Sequence, residues 1–238
     1  MKVSVVIPCL NEEQTVAACV LEALEALHQA GLSGEVLVVD NGSSDYTAQE
    51  AFKHGARVVH AAARGYGSAI AHGVREATGK YIFVADGDCS YDFKEIPGFI
   101  AQLEAGADLV IGCRASLYGG RVDHGAMPIL HRYLGNPILT ILGRLLLAIP
   151  SHDLCCGMRA FNREAFLGMK IQSTGMEFAV EMLAKAVQSE LVFAERPITL
   201  RKDRRGRSSH LKTWPDGLKS LRCILKLCWE TKILQRTC

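Results

Sequence analysis

The chain has 238 residues, 49% of them hydrophobic and 22% charged. This is the composition of an ordinary globular protein, long enough for one large α/β domain or two small ones. Nine scattered cysteines without a C-x-x-C pair or a signal peptide argue against a disulfide framework or a zinc site, and favour free thiols in a reducing cytosol. No apolar run reaches the roughly 18–20 residues of a bilayer span, so an integral membrane protein is not expected.

Charge is distributed unevenly along the chain. Residues 201–238 carry 11 Lys and Arg against three Asp and Glu, whereas the first 200 residues carry 16 against 22. We therefore expect the basic C-terminal part to meet an anionic partner, such as phosphate groups or an anionic membrane surface. Nucleic acid is disfavoured because aromatic residues are not interleaved with the basic ones.

The first 112 residues alternate predicted strands and helices. The strands cover residues 3–7, 36–39, 57–59, 81–85 and 107–111. The first helix begins at a cap on Asn11 and continues up to Gly31, a second short helix ends at Ala51, and two more cover residues 65–77 and 93–105. This alternation indicates βαβ units with right-handed crossovers in a mostly parallel sheet.

Polar clusters follow three of these strands, at Pro8–Glu13, Asp40–Asp45 and Asp86–Asp92. Because the carboxyl ends of parallel strands meet at one edge of a sheet, we expect the clusters to converge and to form a pocket for a phosphorylated ligand.

The third cluster contains two carboxylates one residue apart, Asp86 and Asp88, directly after an apolar strand. Adjacent carboxylates are costly to hold unless a cation neutralises them, and Mg²⁺ binds one or two carboxylates together with substrate phosphate oxygens. An acidic turn in solvent explains the same residues, and the pair alone does not decide between the two interpretations.

Two common nucleotide-binding classes are disfavoured. The first strand-to-helix turn reads Pro8-Cys9-Leu10-Asn11-Glu12-Glu13 instead of the G-x-G-x-x-G of NAD-binding proteins, and Pro lacks the amide donor such a turn uses. The chain also has no G-x-x-x-x-G-K-[ST] phosphate loop.

Taken together, the blocks VVIPCLNEE, VVDNGSSDYTA, Gly-Tyr-Gly-Ser and VADGDCSYD resemble the family 2 glycosyltransferases with the GT-A fold. The later blocks DLVIGCR, LCCGMRAF, STGMEFAVEMLAKA and ITLRKDRRGRSSHLKTWPDGLKSLR are similar to the branch that makes polyprenyl-phosphate sugars, the dolichyl-phosphate mannose or glucose synthases.

The resemblance implies a single Rossmann-like α/β domain of the GT-A type. Residues 1–112 would form its nucleotide-sugar-binding half, and residues 113–238 its acceptor-binding and membrane-facing half. The implied reaction is inverting transfer of a hexose from UDP-glucose or GDP-mannose to polyprenyl phosphate, with Mg²⁺ or Mn²⁺. The resemblance also implies a cytoplasmic protein that binds peripherally to the cytosolic face of a membrane.

The resemblance also implies roles for individual residues. The metal-binding pair is Asp86 and Asp88, and Ser90 stands where some members carry a glutamine ligand. The nucleotide pocket is formed by Pro8, Leu10, Glu12, Asp40, Gly42, Ser43, Asp86 and Gly87. The resemblance places Arg114 against a phosphate. Because arginines bind phosphates through two nitrogens at once, Arg159 and the cluster Arg201–Arg207 are further candidates. The expected catalytic residues are Asp88, Arg114, Arg159 and Arg201.

Two alternatives for function remain at this point. A phosphate monoester is already largely anionic at neutral pH and needs no general base. If the acceptor were instead a sugar hydroxyl or another small soluble molecule, Asp153 or Glu177 would be the natural base. An ion pair between Asp153 and Arg159 is the alternative to a site role for these residues, and a non-catalytic nucleotide-sugar-binding module is the alternative to an enzyme.

Two amphipathic segments bear on membrane contact. Residues 216–229 place apolar side chains on one helical face with basic residues along one flank, which suits either a membrane interface or docking on the protein's own core. The same two alternatives hold for residues 134–149, whose lipid-facing stripe would be Leu139, Leu142, Leu145 and Leu146. Many members of the branch continue past the helix at residues 216–229 into transmembrane segments, and the sequence does not decide whether this chain does.

Overall fold

The structure, a computed structural model, describes residues 1–206 and the helix at 213–237, with side chains in that helix for residues 215–230. In chain order the strands are β1 (Val3–Cys9), β2 (Gly34–Asp40), β3 (Arg57–His60), β4 (Tyr81–Val84), β5 (Leu109–Cys113), β6 (Arg121–Val122), β7 (Arg159–Asn162), β8 (Phe193–Pro197) and β9 (Thr199–Leu200). The helices are α1 (Val16–Gln29), α2 (Thr47–Lys53), α3 (Tyr66–Glu76), α4 (Ile96–Glu104), α5 (Asn136–Leu147), α6 (Arg163–Gly168), α7 (Phe178–Gln188) and α8 (Thr213–Thr237).

A seven-stranded sheet in the order β3-β2-β1-β4-β7-β5-β8 forms the centre of the described chain. The strands β1 to β4 are mutually parallel, with Val5 opposite Val36 on one side and Phe83 on the other. Almost all side chains of β1, β4 and the second part of β2 are buried, as expected for strands covered by helices on both faces, whereas the edge strand β3 is only half-buried. The predicted α/β fold with a mostly parallel sheet is confirmed.

One strand in this sheet runs against the others. Strand β7 lies between β4 and β5 and is antiparallel to both, with Phe161 opposite Ile82 and Leu109. The sequence analysis did not identify it, since four residues between two loops give too short a pattern to recognise.

The first helix begins later than predicted. Helix α1 starts at Val16 after Thr15, not at a cap on Asn11. Asn11 instead has a φ of 57°, and its side-chain oxygen accepts a hydrogen bond from Ser44 N at 2.8 Å. Its own amide donates to Ser43 Oγ at 2.9 Å. An asparagine tolerates this left-handed conformation, and here it joins the loops that follow β1 and β2.

Helix α3 packs unusually close to the sheet. A Cβ on Gly73 would come 2.6 Å from Val6 Cγ1 and 2.7 Å from Val39 Cγ2, so glycine at this position permits the approach. The close packing fixes α3, whose first residue Tyr66 reaches the edge where the strands end.

A polar cluster lies at the opposite edge of the sheet, around Glu35 at the start of β2. Arg57 Nε donates to Glu35 Oε2 at 2.9 Å, and the Ser4 and Thr78 hydroxyls donate to Oε1 at 2.7 Å each. Burial raises the pKa of Glu35, but these hydrogen bonds outweigh burial and lower the pKa to about 2.

Helices α5 and α8 pack against each other, and α8 also packs on α7. On α5 the predicted stripe is wrong in part, because Leu139, Leu142 and Leu146 pack against the core and only Leu145 is exposed. The exposed apolar side chains on this side of the molecule, here called the apolar stripe, are Leu134, Ile138, Ile141 and Leu145. Among the helices that the structure describes, none is both long and apolar enough to cross a bilayer.

Only part of the apolar face predicted for residues 216–229 is buried in the structure of helix α8. Ile224 and Cys228 are buried, whereas Leu218, Leu225 and Trp229 are exposed. The helix therefore docks on the protein's own core and still presents apolar side chains to solvent.

Candidate active site

The loops after β1, β2 and β4 converge at one edge of the sheet, as predicted from the polar clusters. Glu12 N donates to Thr47 Oγ1 at 2.7 Å, which joins the first loop to helix α2. Thr15 Oγ1 donates to Gly87 O at 2.7 Å, which joins α1 to the loop containing the two aspartates. Pro8 is the penultimate residue of β1 and is in register with Val39 of β2. We call this convergence the rim.

Asp40 lies on the β2 side of the rim with only 6% of its surface exposed. One carboxylate oxygen accepts from Ser43 N at 3.0 Å, and the other lies 3.1 Å from His60 Nδ1. Gly42 has a φ of 88°, and its missing side chain leaves space beside the Arg64 guanidinium, 3.5 Å from where a Cβ would lie. A carboxylate held rigidly beside an open turn is suited to hydrogen-bond the edge of a base.

Asp86 and Asp88 lie on the β4 side of the rim. Asp86 is half-buried and accepts a hydrogen bond from Tyr66 Oη at 3.0 Å. Asp88 is 4% exposed, and its Oδ1 accepts from Ser90 N at 2.9 Å. Burial, together with the negative charge on Asp88, raises the pKa of Asp86 to about 6. A carboxylate pair in this state favours a neighbouring cation.

Two glycines make room for these carboxylates. A Cβ on Gly87 would come 2.6 Å from Cys9 Sγ, so only glycine fits between the aspartates. A Cβ on Gly157 would lie 3.1 Å from Asp86 Oδ2 and 3.1 Å from Tyr91 Oη. Gly157 and Tyr66 were not predicted as site residues. Each lies in a motif that carried the family resemblance, but nothing local shows that it touches Asp86.

Residues 201–206, here called the strap, cross the loop that follows β4. Arg201 N donates to Ser90 O at 2.8 Å, and Arg204 N donates to Asp88 O at 3.1 Å. The Arg201 guanidinium pairs with Glu22 at 3.2 Å and with Asp92. The structure thus brings Arg201 to the rim, four residues before an arginine that reaches the aspartates themselves.

That residue is Arg205. Its Nη2 lies 2.6 Å from Asp88 Oδ2, and its Nη1 lies 3.4 Å from Glu12 Oε1. Asp203 contributes a third carboxylate 3.2 Å from Nη2. Arg205 belongs to the candidate cluster Arg201–Arg207, of which only Arg201 was predicted to be catalytic and Arg207 lies outside the described residues.

Arg114 follows β5 and forms a buried ion pair with Asp153. Its Nε and Nη2 donate to the two carboxylate oxygens at 2.6 and 2.7 Å, and its backbone N donates to Asp153 Oδ2 at 2.9 Å. The two-pronged geometry is that of a strong charge-assisted pair. Asp153 therefore pairs with Arg114, and the alternative pairing with Arg159 is not formed.

Arg159 is buried under the loop that precedes β7. It donates to the backbone carbonyls of Cys156, Leu154 and Ala179 at 2.9, 3.0 and 3.0 Å. These contacts hold the loop against α7, and they favour a structural role over direct contact with a phosphate.

Glu177 lies just before α7. Its Oε1 accepts from Gly175 N at 3.1 Å, and its buried Oε2 has no hydrogen-bond partner among the described residues. Of the two acids considered as bases, Glu177 is the one that forms no ion pair with the part of the chain that the structure describes.

The donor set at the rim fits a divalent cation that completes its coordination with ligand oxygens. Asp86 and Asp88 offer hard carboxylate oxygens, and a cationic guanidinium already lies against Asp88. Within the described part of the chain no group of three or more His, Cys, Asp or Glu side chains forms a metal site. A metal here would therefore take one or two protein ligands and the rest from a substrate or water.

Comparison with known proteins gives the family. Residues 4–168 match the family model described as glycosyl transferase family 2. The chain belongs to glycosyltransferase family 2. The predicted family and enzyme class are confirmed.

Curated relatives of this family 2 chain include two proteins of Haloferax volcanii. The low-salt glycan biosynthesis hexosyltransferase Agl6 is 39% identical over 223 residues, which is 93% of this chain and 52% of Agl6. This chain thus spans about half the length of Agl6. A dolichyl-phosphate hexose transferase is 30% identical over 233 residues, covering 97% of this chain and 95% of that protein. The predicted resemblance to the dolichyl-phosphate branch is confirmed by these relatives.

Solved structures confirm the predicted GT-A fold. The glucosyl-3-phosphoglycerate synthase of Mycobacterium tuberculosis, in complex with Mg²⁺ and uridine diphosphate, superimposes with a TM-score of 0.74. The match covers 95% of this chain and 79% of that one at 20% sequence identity. At this identity the match shows a shared fold only.

Proposed function

We propose that this family 2 enzyme transfers a hexose, with inversion, from a nucleotide-sugar to a polyprenyl phosphate in a reaction that depends on Mg²⁺ or Mn²⁺. The observation that carries the proposal is the convergence at the rim of the carboxylates of Asp86 and Asp88 with the side chains of Arg201 and Arg205. Such a site combines carboxylates that can bind a cation with guanidinium groups that can bind phosphates. The dolichyl-phosphate hexose transferase relative, matched over nearly its full length, supports the choice of acceptor.

Residues 1–112 would bind the donor. Asp40 would hydrogen-bond the base, a role that either uracil or guanine satisfies. The side chains and backbone of the remaining pocket residues would surround the nucleoside and its diphosphate, namely Pro8, Leu10, Glu12, Gly42, Ser43 and Gly87. Asp86 and Asp88 would hold the cation, which when bound neutralises charge that develops on the departing nucleoside diphosphate.

Residues 113–238 would bind the acceptor. A phosphate monoester is already a nucleophile at neutral pH, so it needs positioning more than deprotonation. Arg201, at the rim, is placed to contact a phosphate if it exchanges one of its carboxylate partners. Arg114, whose charge is balanced by Asp153, would contact a phosphate only by exchanging this partner, and Arg159 would keep the loop under the site in place.

The same half has the features of a peripheral membrane surface. Helix α5 carries most of the apolar stripe, and helix α8, which packs against α5, exposes Leu225 and Trp229. Arg144, Lys219, Arg222 and Lys226 are exposed on these helices. Apolar side chains flanked by basic ones suit the boundary between lipid headgroups and acyl chains. We therefore place the enzyme on the cytosolic face of a membrane.

A soluble acceptor with a hydroxyl nucleophile is the second candidate. It is favoured by the buried Glu177 oxygen that lacks a hydrogen-bond partner among the described residues, because a hydroxyl acceptor requires a base. A non-catalytic nucleotide-sugar-binding module is the third, and it would show no turnover with any acceptor.

The test combines two donors with one substitution. The purified protein is incubated with UDP-glucose or GDP-mannose, Mn²⁺ and a short-chain polyprenyl phosphate, and glycolipid formation is measured. We expect turnover with one donor, and a loss of about a hundred-fold or more in Asp88→Asn. Asp108→Asn, at the opposite edge of the sheet, is the matched control and should retain turnover. Turnover only with soluble acceptors, or equal turnover in Asp88→Asn and the control, would refute the proposal.

A further inference from the structure

The side chain of Arg205 lies where a cation would be expected to lie. It is 13% exposed, and the carboxylates of Asp88 and Glu12 are each 6% exposed. One positive charge is thus enclosed with two negative charges, away from most of the solvent that would otherwise screen them. Such an arrangement neutralises part of the acidic rim without any ligand.

The backbone fixes this position. The strap forms hydrogen bonds with the aspartate loop through Arg201 N and Arg204 N, and Arg205 follows directly. These two backbone hydrogen bonds therefore fix the position of Arg205 relative to Asp88.

The hydrogen bonding of the Arg205 guanidinium is incomplete in this position. Nε of Arg205 is buried and has no hydrogen-bond partner among the described residues. A buried donor without a partner costs free energy that a better set of acceptors would recover. This observation points to additional acceptor oxygens in the functional state.

We propose that Arg205 is a built-in counter-ion of the aspartate pair, which a divalent cation must displace from Asp88 in order to bind. The inference rests on the proposed function, since it assumes that Asp88 binds the cation. A dication bonded to Asp88 Oδ2 and a guanidinium 2.6 Å from the same atom are like charges on one oxygen, so they are alternative occupants.

This exclusion makes cation and nucleotide binding cooperative. A metal ion alone must separate Arg205 from Asp88 and leave the guanidinium with fewer counter-charges, namely Glu12 and Asp203. A nucleoside diphosphate brings anionic oxygens that serve both the metal and the displaced guanidinium. Each ligand therefore raises the affinity for the other by the same factor.

The experiment measures Mn²⁺ binding, not turnover. Free Mn²⁺ is followed by electron paramagnetic resonance at fixed ionic strength, without nucleotide and with saturating UDP or GDP. The variants are Arg205→Gln and the matched control Arg204→Gln, which makes the same charge change on an exposed neighbour. Arg205→Met is a second variant of similar length, and thermal melting establishes that each protein is folded.

We expect Arg205→Gln and Arg205→Met to bind Mn²⁺ alone about ten-fold more tightly than the parent, which corresponds to a site that Arg205 occupies about nine-tenths of the time. Arg204→Gln should change the affinity less than about two-fold, the size of a screened charge effect. The enhancement of Mn²⁺ binding by nucleotide should be smaller in the Arg205 variants than in the parent.

Two other results would refute the inference, and the second of them would also refute the proposed function. If nucleotide-dependent Mn²⁺ binding is intact but the Arg205 variants bind Mn²⁺ alone no better than Arg204→Gln does, the counter-ion role is refuted and the proposed function stands. If no variant binds Mn²⁺ with any nucleotide, the metal-dependent function is refuted as well.

Discussion

The ion pair between Arg114 and Asp153 should be essential to stability in a way that a surface pair is not. The two side chains are only 8% and 7% exposed, and Asp153 accepts three hydrogen bonds from Arg114. Asp153→Ala would leave a buried guanidinium without a counter-charge. Breaking such a pair costs about 3–5 kcal/mol of unfolding free energy. For a domain of this length, that corresponds to a fall in Tm of about 10 °C.

Urea denaturation of the single and double variants measures this directly. Arg114→Met should cost a similar amount to Asp153→Ala, because it leaves a buried carboxylate unpaired. The double variant Arg114→Met/Asp153→Ala should be more stable than either single variant, since no buried charge remains. A loss below about 1 kcal/mol in Asp153→Ala, or single costs that simply add in the double variant, would refute the reasoning.

Three further predictions concern pH, packing and membrane contact. Because the folded pKa of Glu35 is lowered to about 2, its carboxylate stabilises the fold above its unfolded pKa of about 4.5, and this contribution is lost as the pH falls towards 2. Glu35→Gln should therefore lower the unfolding free energy by about 1–3 kcal/mol at pH 7, with the difference in urea denaturation vanishing near pH 2; a difference independent of pH would contradict this. Gly73→Ala should cost about 1–3 kcal/mol in the same assay because a Cβ would overlap β1 and β2, whereas Gly168→Ala, which meets nothing within 4 Å, should not destabilise. Ile141→Asp should weaken cosedimentation with anionic vesicles about ten-fold, whereas Phe52→Asp, exposed on α2 away from the apolar stripe, should not; equal effects would exclude a specific membrane face.

The rim could be predicted from the sequence because its signals are local. Each parallel strand is an apolar run that ends in polar residues, and parallel strands place those ends together. The positions of Asp40, Asp86 and Asp88 at one edge follow from this rule alone. What the rule does not give is the conformation of the connecting turns, and Asn11 was consequently misread as a helix cap.

Contacts between distant parts of the chain explain the other differences. The strap meets the aspartate loop across more than 100 residues of sequence, and no local pattern encodes which of its arginines reaches Asp88. On α5 the leucines and isoleucines occupy neighbouring helical faces, so the period alone fits either face. Packing on the core selected Leu139 and Leu142 for contact and left Ile138 and Ile141 exposed.

The central claim is that the aspartate pair after β4 binds a divalent cation together with the donor's diphosphate. Its most direct test is a crystal of the protein grown with Mn²⁺ and UDP or GDP, with diffraction recorded at the manganese absorption edge. The account predicts an anomalous peak about 2 Å from an Asp88 carboxylate oxygen, with diphosphate oxygens as further ligands and Arg205 moved off that atom. A bound nucleotide whose manganese peak lies away from both Asp86 and Asp88 would contradict it.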